Sequence, residues 1–178
     1  MTNRVTLFRQ DAALKEDHRG IAAVEFAITA PIALLVLINV YDISAYISQR
    51  MTVQTAAQAA VQAIWRTCDT AHIPATTLCP SSNSAATTAI QSTAFGNKIT
   101  LARTTEGYYC VNSAGALQYV GDVSHKPLDC TSAGSPTLKP GDYIQVQAQF
   151  SYAPLFAASS AANLFTTPIT ASAWMRLQ

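Results

Sequence analysis

Glu25 is the single charged side chain in an apolar run from Ile21 to Tyr41, and it follows Gly20 by five positions. A carboxylate placed at the centre of a membrane helix costs about 2–3 kcal/mol even on the mildest insertion scale. Such a residue is a functional candidate by default, and pairing with a positive group is the chemistry it does best. Two buried charges that neutralise each other cost much less than either alone. Gly20 offers a different chemistry. It has no side chain, so a protease within the membrane can bring catalytic groups against its backbone, and Arg19 beside it would hold that bond at the membrane surface.

The other reactive set is sulfur. Cys68, Cys79, Cys110 and Cys130 form an even number, for which sequence alone allows three pairings. Cys68–Cys79 and Cys110–Cys130 are favoured, because each closes a short local loop containing Pro or Gly. A zinc site built from Cys68, His72 and Cys79 is the alternative, although its spacings match no standard metal pattern. His18, His72 and His125 are the three histidines; the last two read as solvated loop residues. Glu106, Asp122, Asp129 and Asp142 stand near turn signals without the spacing of a catalytic carboxylate pair. There is no Gly-x-Ser-x-Gly elbow, phosphate-binding glycine loop or His-Glu-x-x-His. The chain therefore reads as a non-enzyme with no cofactor, no metal and no small-molecule substrate.

These residues need elements to hold them. The run from Ile21 to Tyr41 spans roughly 30 Å as a helix, enough to cross a bilayer core. It is longer than the ~7–15-residue apolar core of a cleavable signal peptide, and it continues into a second helical pattern. Past Gly20 there is no glycine before Arg66 and a single proline, Pro31, so one long helix is expected. Pro31 removes one helix hydrogen bond and is a candidate kink. In the second half, Val53, Ala57, Ala60, Val61, Ile64 and Trp65 recur at three- and four-residue steps. Gln49, Gln54, Gln58 and Gln62 fall largely elsewhere, which makes that half amphipathic.

Later segments change period. Residues 67–81 read as a loop and 83–94 as a short helix. Ile99–Arg103 and Tyr108–Asn112, around a turn at Thr105-Glu106-Gly107, make a hairpin candidate, and Leu117–Gly121 a further strand. After the Lys139-Pro140-Gly141-Asp142 turn, Ile144, Val146, Ala148, Phe150 and Tyr152 alternate with polar residues as one buried strand face. A last strand is expected over Ile169–Leu177, with a short helix or crossover loop between. Tyr108, Tyr109 and Tyr119 are expected to pack within the sheet. The fold class is α+β: a long N-terminal helix packed on a mainly antiparallel C-terminal sheet.

Charge sets orientation and excludes one partner class. Arg4, Arg9, Lys15 and Arg19 precede the apolar run, while Arg50 alone follows closely; the N-terminus is then cytoplasmic. The cysteines all lie on the exported side, where disulfides form. With 12% charged residues and a net charge of +1, the chain lacks the basic face a nucleic-acid binder needs. The expected organisation is a leader over 1–20, a transmembrane half-helix over 21–42, an amphipathic half-helix over 43–66 and an exported α+β domain over 67–178.

Arg19-Gly20 followed by Ile21-Ala22-Ala23-Val24-Glu25-Phe26-Ala27, with Ala30-Pro31 and a Leu/Val/Ile run behind, resembles the TadE-like pseudopilins of tight-adherence (Flp-type IV) pilus systems. The resemblance spans about residues 19–62 and implies a type IV pilin-like fold. It also implies cleavage between Gly20 and Ile21 by a prepilin peptidase of the inner membrane. Glu25 would then be the fifth residue of the mature chain and pair with the Ile21 amine of a neighbouring subunit, with Phe26 beside it. Many major Flp pilins are very short and carry tyrosine after the glutamate, so Phe26 and the large exported domain imply a minor subunit. Implied partners are the peptidase, other pilin subunits, the inner-membrane assembly platform and membrane lipid. Two alternatives stand beside this: a single-pass membrane-anchored periplasmic scaffold or binding protein, and a type II secretion pseudopilin.

Overall fold

The structure, a computed structural model, describes residues 19–156 and 159–178. Most of the expected leader, with Arg4, Arg9, Lys15 and His18, lies outside the described residues. A single helix, α1 (Arg19–Thr67), carries both the apolar run and the amphipathic pattern without interruption, with Pro31 inside it. Two short helices follow, α2 (Ala75–Leu78) and α3 (Ser82–Gln91). Four strands complete the chain: β1 (Ile99–Val111), β2 (Leu117–Gly121), β3 (Gly141–Phe150) and β4 (Ile169–Arg176). They form one sheet in the order β2-β1-β3-β4, antiparallel at every pairing. This is an α+β fold.

The alternation in β3 explains why the sheet packs as it does. Ile144, Val146, Ala148 and Phe150 are buried, while Gln145, Gln147 and Gln149 are half-buried on the opposite face. The buried face meets Ile99, Ile169 and Ala173 from neighbouring strands, Ile90 of α3, and the second half of α1. That half contributes Val53, Ala56, Ala57, Ala60, Val61 and Ile64. The alanines present little side chain, so the helix can lie close to its neighbours, and the Val and Ile side chains supply most of the apolar area. Each fully buried Val or Ile is worth about 1.5–3 kcal/mol. Ala56 belongs to this stripe although the sequence pattern passed over it. Trp65 does not: it is 54% exposed at the flank of the stripe.

Two further expectations are corrected. The loop placed over 67–81 contains α2, and the turn at Thr105-Glu106-Gly107 is not made. β1 runs straight through, pairing Thr105 with Gln145, Glu106 with Ile144 and Gly107 with Tyr143; its single irregularity against β3 falls between Leu101 and Arg103. Gly107 has another reason to be glycine. A Cβ there would lie 2.8 Å from Cε2 of Tyr119, so the ring on β2 sits directly over the bare backbone of β1. Beyond it, Tyr109 makes edge-on contacts with Tyr119, Tyr143 and Trp174 on the same sheet face. Tyr108 is buried on the other face, with the Lys126 ammonium 5.5 Å above its ring.

Candidate functional site

The first half of α1 is where the chemistry-bearing motif lies, and nothing in the described chain covers it. Ile21, Val24, Phe26, Ile28, Ile32 and Leu35 are all exposed. This is the one helix among the described residues long and apolar enough to cross a membrane, and none of its most apolar window is buried. Gly20 is exposed, and a Cβ added there would meet nothing within 4 Å. Its lack of a side chain is therefore not required by packing within the chain. Glu25 is exposed one helical turn beyond Ile21 and makes no salt bridge with any described residue. Phe26 projects beside it. Polar side chains deeper in the run are satisfied locally: Thr29 Oγ1 donates to the Glu25 carbonyl at 2.9 Å and Asn39 Nδ2 to the Leu35 carbonyl at 2.8 Å. Pro31 has no N–H and leaves the Ala27 carbonyl without its helical donor. Ala22, Ala23, Ala27, Ala30 and Ala33 are small enough to let a second helix approach closely.

Where α1 meets the domain, three side chains on one face bind the connection between β3 and β4. Asn39 accepts at Oδ1 from the Ala161 N–H (2.7 Å) and donates to the Ser159 carbonyl (3.3 Å). Asp42, almost fully buried, accepts from the N–H groups of Leu155 and Phe156 at 3.2 and 3.4 Å. Its carbonyl receives the Tyr152 hydroxyl at 3.1 Å. Tyr46 stacks on Phe165 and meets Tyr152 edge-on, and its hydroxyl donates to the Thr166 carbonyl. Sequence reasoning missed this joint. The signal was present in the spacing Asn39, Asp42, Tyr46, which is one helix face, but the partners lie more than a hundred residues away.

The four cysteines are consumed as Cys68–Cys79 and Cys110–Cys130, the local pairing favoured from the sequence. The first fastens the end of α1 to the turn after α2. Because both sulfurs are oxidised together, the alternative zinc set with His72 does not form. His72 and His125 are exposed beside Asp69 and Asp122, and hydrogen bonds from His72 and from Ser124 hold those two carboxyls below the usual range. Neither Glu106 nor Asp142 lies in a turn. Glu106, in mid-strand, accepts from the N–H groups of Ala75 and Thr76 at 2.7 and 2.6 Å and so caps α2. Asp142 is buried with no hydrogen-bond partner on either oxygen among the described residues. Burial, reinforced by the nearby Glu106 charge and opposed by Lys126, pushes its carboxyl up to about 7. No group of three or more His, Cys, Asp or Glu among the described residues is placed to hold a metal ion.

No curated protein and no solved structure matches the chain. Residues 20–62, from Gly20 into the amphipathic half of α1, match the family model described as TadE-like protein.

Proposed function

We propose that this chain is a minor pilin, or pseudopilin, that helps assemble a tight-adherence (Flp-type IV) pilus. In this reading a prepilin peptidase cuts the leader after Gly20, and the mature chain begins at Ile21. The new amine is then one helical turn from Glu25 in its own chain and free to pair with Glu25 of an adjacent subunit. The observation that carries the reading is the pairing of two facts: the family match begins at Gly20, and Glu25 has no partner among the described residues of its own chain. A charge that costs free energy in lipid and is unpaired within one subunit is stabilised when a second subunit supplies the opposite charge. Such a pair forms in register or not at all, which would make it a check on assembly.

The rest of the molecule fits a structural rather than a catalytic role. The first half of α1 would anchor the chain by a single pass in the bacterial inner membrane, N-terminus cytoplasmic and domain periplasmic. Pro31 would let the helix bend as it moves from bilayer to fibre, and the alanine stripe would admit neighbouring helices. Other subunits and the inner-membrane assembly platform are the partners. The test is the N-terminal sequence of the protein made with and without its prepilin peptidase. Ile21 as the first residue, dependent on the peptidase, is expected. An intact Met1 in both cases, or a cut near residues 45–50, would overturn the reading.

A further inference from the structure

Four large apolar side chains stand exposed around the joint between α1 and the domain: Leu155 (72%), Phe156, Leu164 (87%) and Phe165. They come from the two described stretches of the β3–β4 connection, and hydrogen bonds to α1 fix their height along the helix. Leu155 and Phe156 are tied to Asp42, the segment just before Leu164 to Asn39, and Phe165 is stacked on Tyr46. Asn39, Asp42 and Tyr46 lie eighteen, twenty-one and twenty-five residues past Ile21, which places them roughly 27, 32 and 38 Å along the helix. A bilayer's hydrocarbon core is about 30 Å thick. The four side chains therefore stand beside one face of α1, from the edge of the apolar core into the headgroup layer of an anchored helix.

Charge at this end of the domain agrees with that placement. There is no Asp, Glu, Lys or Arg between Asp142 and Arg176, so the connection carries no charged side chain that would resist the headgroup layer. Asp42, the one acid at the joint, is covered and hydrogen-bonded. Tyr41, exposed at the same height, is the kind of amphipathic ring that favours a membrane–water boundary.

We propose that Leu155, Phe156, Leu164 and Phe165 form a collar that inserts into the leaflet from which α1 emerges, seating the domain on the membrane. The collar adds a second attachment beside the helix and fixes the tilt of the domain before a subunit is drawn into a fibre. The inference rests on the membrane-anchor reading of α1, and the test separates the two.

The full chain, with Trp65→Phe and Trp174→Phe to clear the background, is reconstituted at high dilution into phosphatidylethanolamine/phosphatidylglycerol vesicles containing acyl-brominated lipid. Single tryptophans are introduced as Leu164→Trp and, independently, Leu155→Trp, both at exposed positions. Leu35→Trp reports on the span. Leu128→Trp reports on an equally exposed leucine (95%) in the β2–β3 connection, close in sequence to the Cys110–Cys130 disulfide at the opposite end of the sheet. Bromine is expected to remove about half or more of the emission at 164 and 155, as for side chains buried at the acyl boundary, and none at 128. Quenching at 35 with 164 and 155 behaving like 128 would overturn the collar and leave the anchor standing. No quenching at 35 would overturn the anchor and the collar with it. Emission at 164 that ignores bromine but shifts with protein concentration would assign the patch to a second copy, also against the proposal.

Discussion

The two halves of α1 are one continuous helix with opposite surroundings. From Ile21 to Leu37 the large aliphatic and aromatic side chains are exposed, whereas from Asp42 onward small and branched residues face a sheet and Gln54, Gln58 and Gln62 face water. The change happens within one turn, at the Asp42 joint, and the backbone does not register it. Helix propensity and hydrogen bonding are shared along the whole length; what differs is what each face can bury. Before Asn39 the first half has no hydrogen-bonded partner outside its own helix among the described residues, so its exposed apolar surface can be satisfied by lipid or by other helices. The second half has spent its surface on the domain. One half is thus available for assembly and the other is committed to folding.

Equal side-chain deletions on the two halves should break the symmetry most visibly. Ile64→Ala removes apolar volume from the interior beside the sheet and should cost about 2–5 kcal/mol of domain stability. Leu35→Ala removes comparable volume from the exposed half and should leave domain stability unchanged. Urea unfolding in detergent, followed by the fluorescence of Trp65 and Trp174, measures both. A comparable loss from Leu35→Ala would mean that the first half contributes to the domain after all.

Much of this contrast was legible in the sequence, because it is written in periods. The unbroken apolar run, the three- and four-residue steps through Ile64 and the strict alternation from Ile144 to Phe150 each reflect a local rule, and each element forms where its rule places it. What was illegible depends on contacts between distant segments. Thr105-Glu106-Gly107 has turn composition, yet the Tyr119 ring needs Gly107 bare and the N-terminus of α2 needs the Glu106 carboxylate, so the strand continues. Asp42 carries no local sequence signal of its role. Its partners at Leu155 and Phe156 are 113 and 114 residues away, and no periodicity reports that. Trp65 kept the helical spacing of the buried stripe but falls beyond the sheet's cover. In the candidate site, Glu25 stands out as a candidate because a lone carboxylate in an apolar run is anomalous in itself.

The comparison between halves extends to their carboxylates. Asp142, like Glu25, is a carboxylate without a partner among the described residues, but it is enclosed by the folded domain. With its folded pKa at about 7 and an unfolded value near 3.9, the folded chain holds a proton that the unfolded chain releases between about pH 4 and pH 7. Stability should therefore fall as pH rises through that window, by up to about 4 kcal/mol from this group, and be unaffected by it below both values. Asp142→Asn keeps the neutral shape and should flatten the slope. Urea midpoints at pH 4.5 and pH 8 would show a variant close to the parent at the lower pH and more stable at the higher. An unchanged slope would show that neither burial nor the Glu106 charge acts on Asp142 as described.

Glu25→Ala should have the smallest effect on the folded domain and the sharpest on what the domain is carried into. The side chain touches nothing in the described chain, so the urea midpoint should match the parent's. Cleavage after Gly20 should also persist, since removing a charge from the apolar segment leaves the glycine and the bond in place. Fibres on the cell surface, counted by electron microscopy, should be reduced, because the N-terminal amine of the subunit next to this one would enter an apolar contact without its counter-charge. Normal fibres in that variant would remove the pairing argument while leaving the anchor intact. A lowered urea midpoint would instead mean that the two halves of α1 are not as separate as their surroundings imply, since a residue that reaches no part of the domain would then be contributing to its stability.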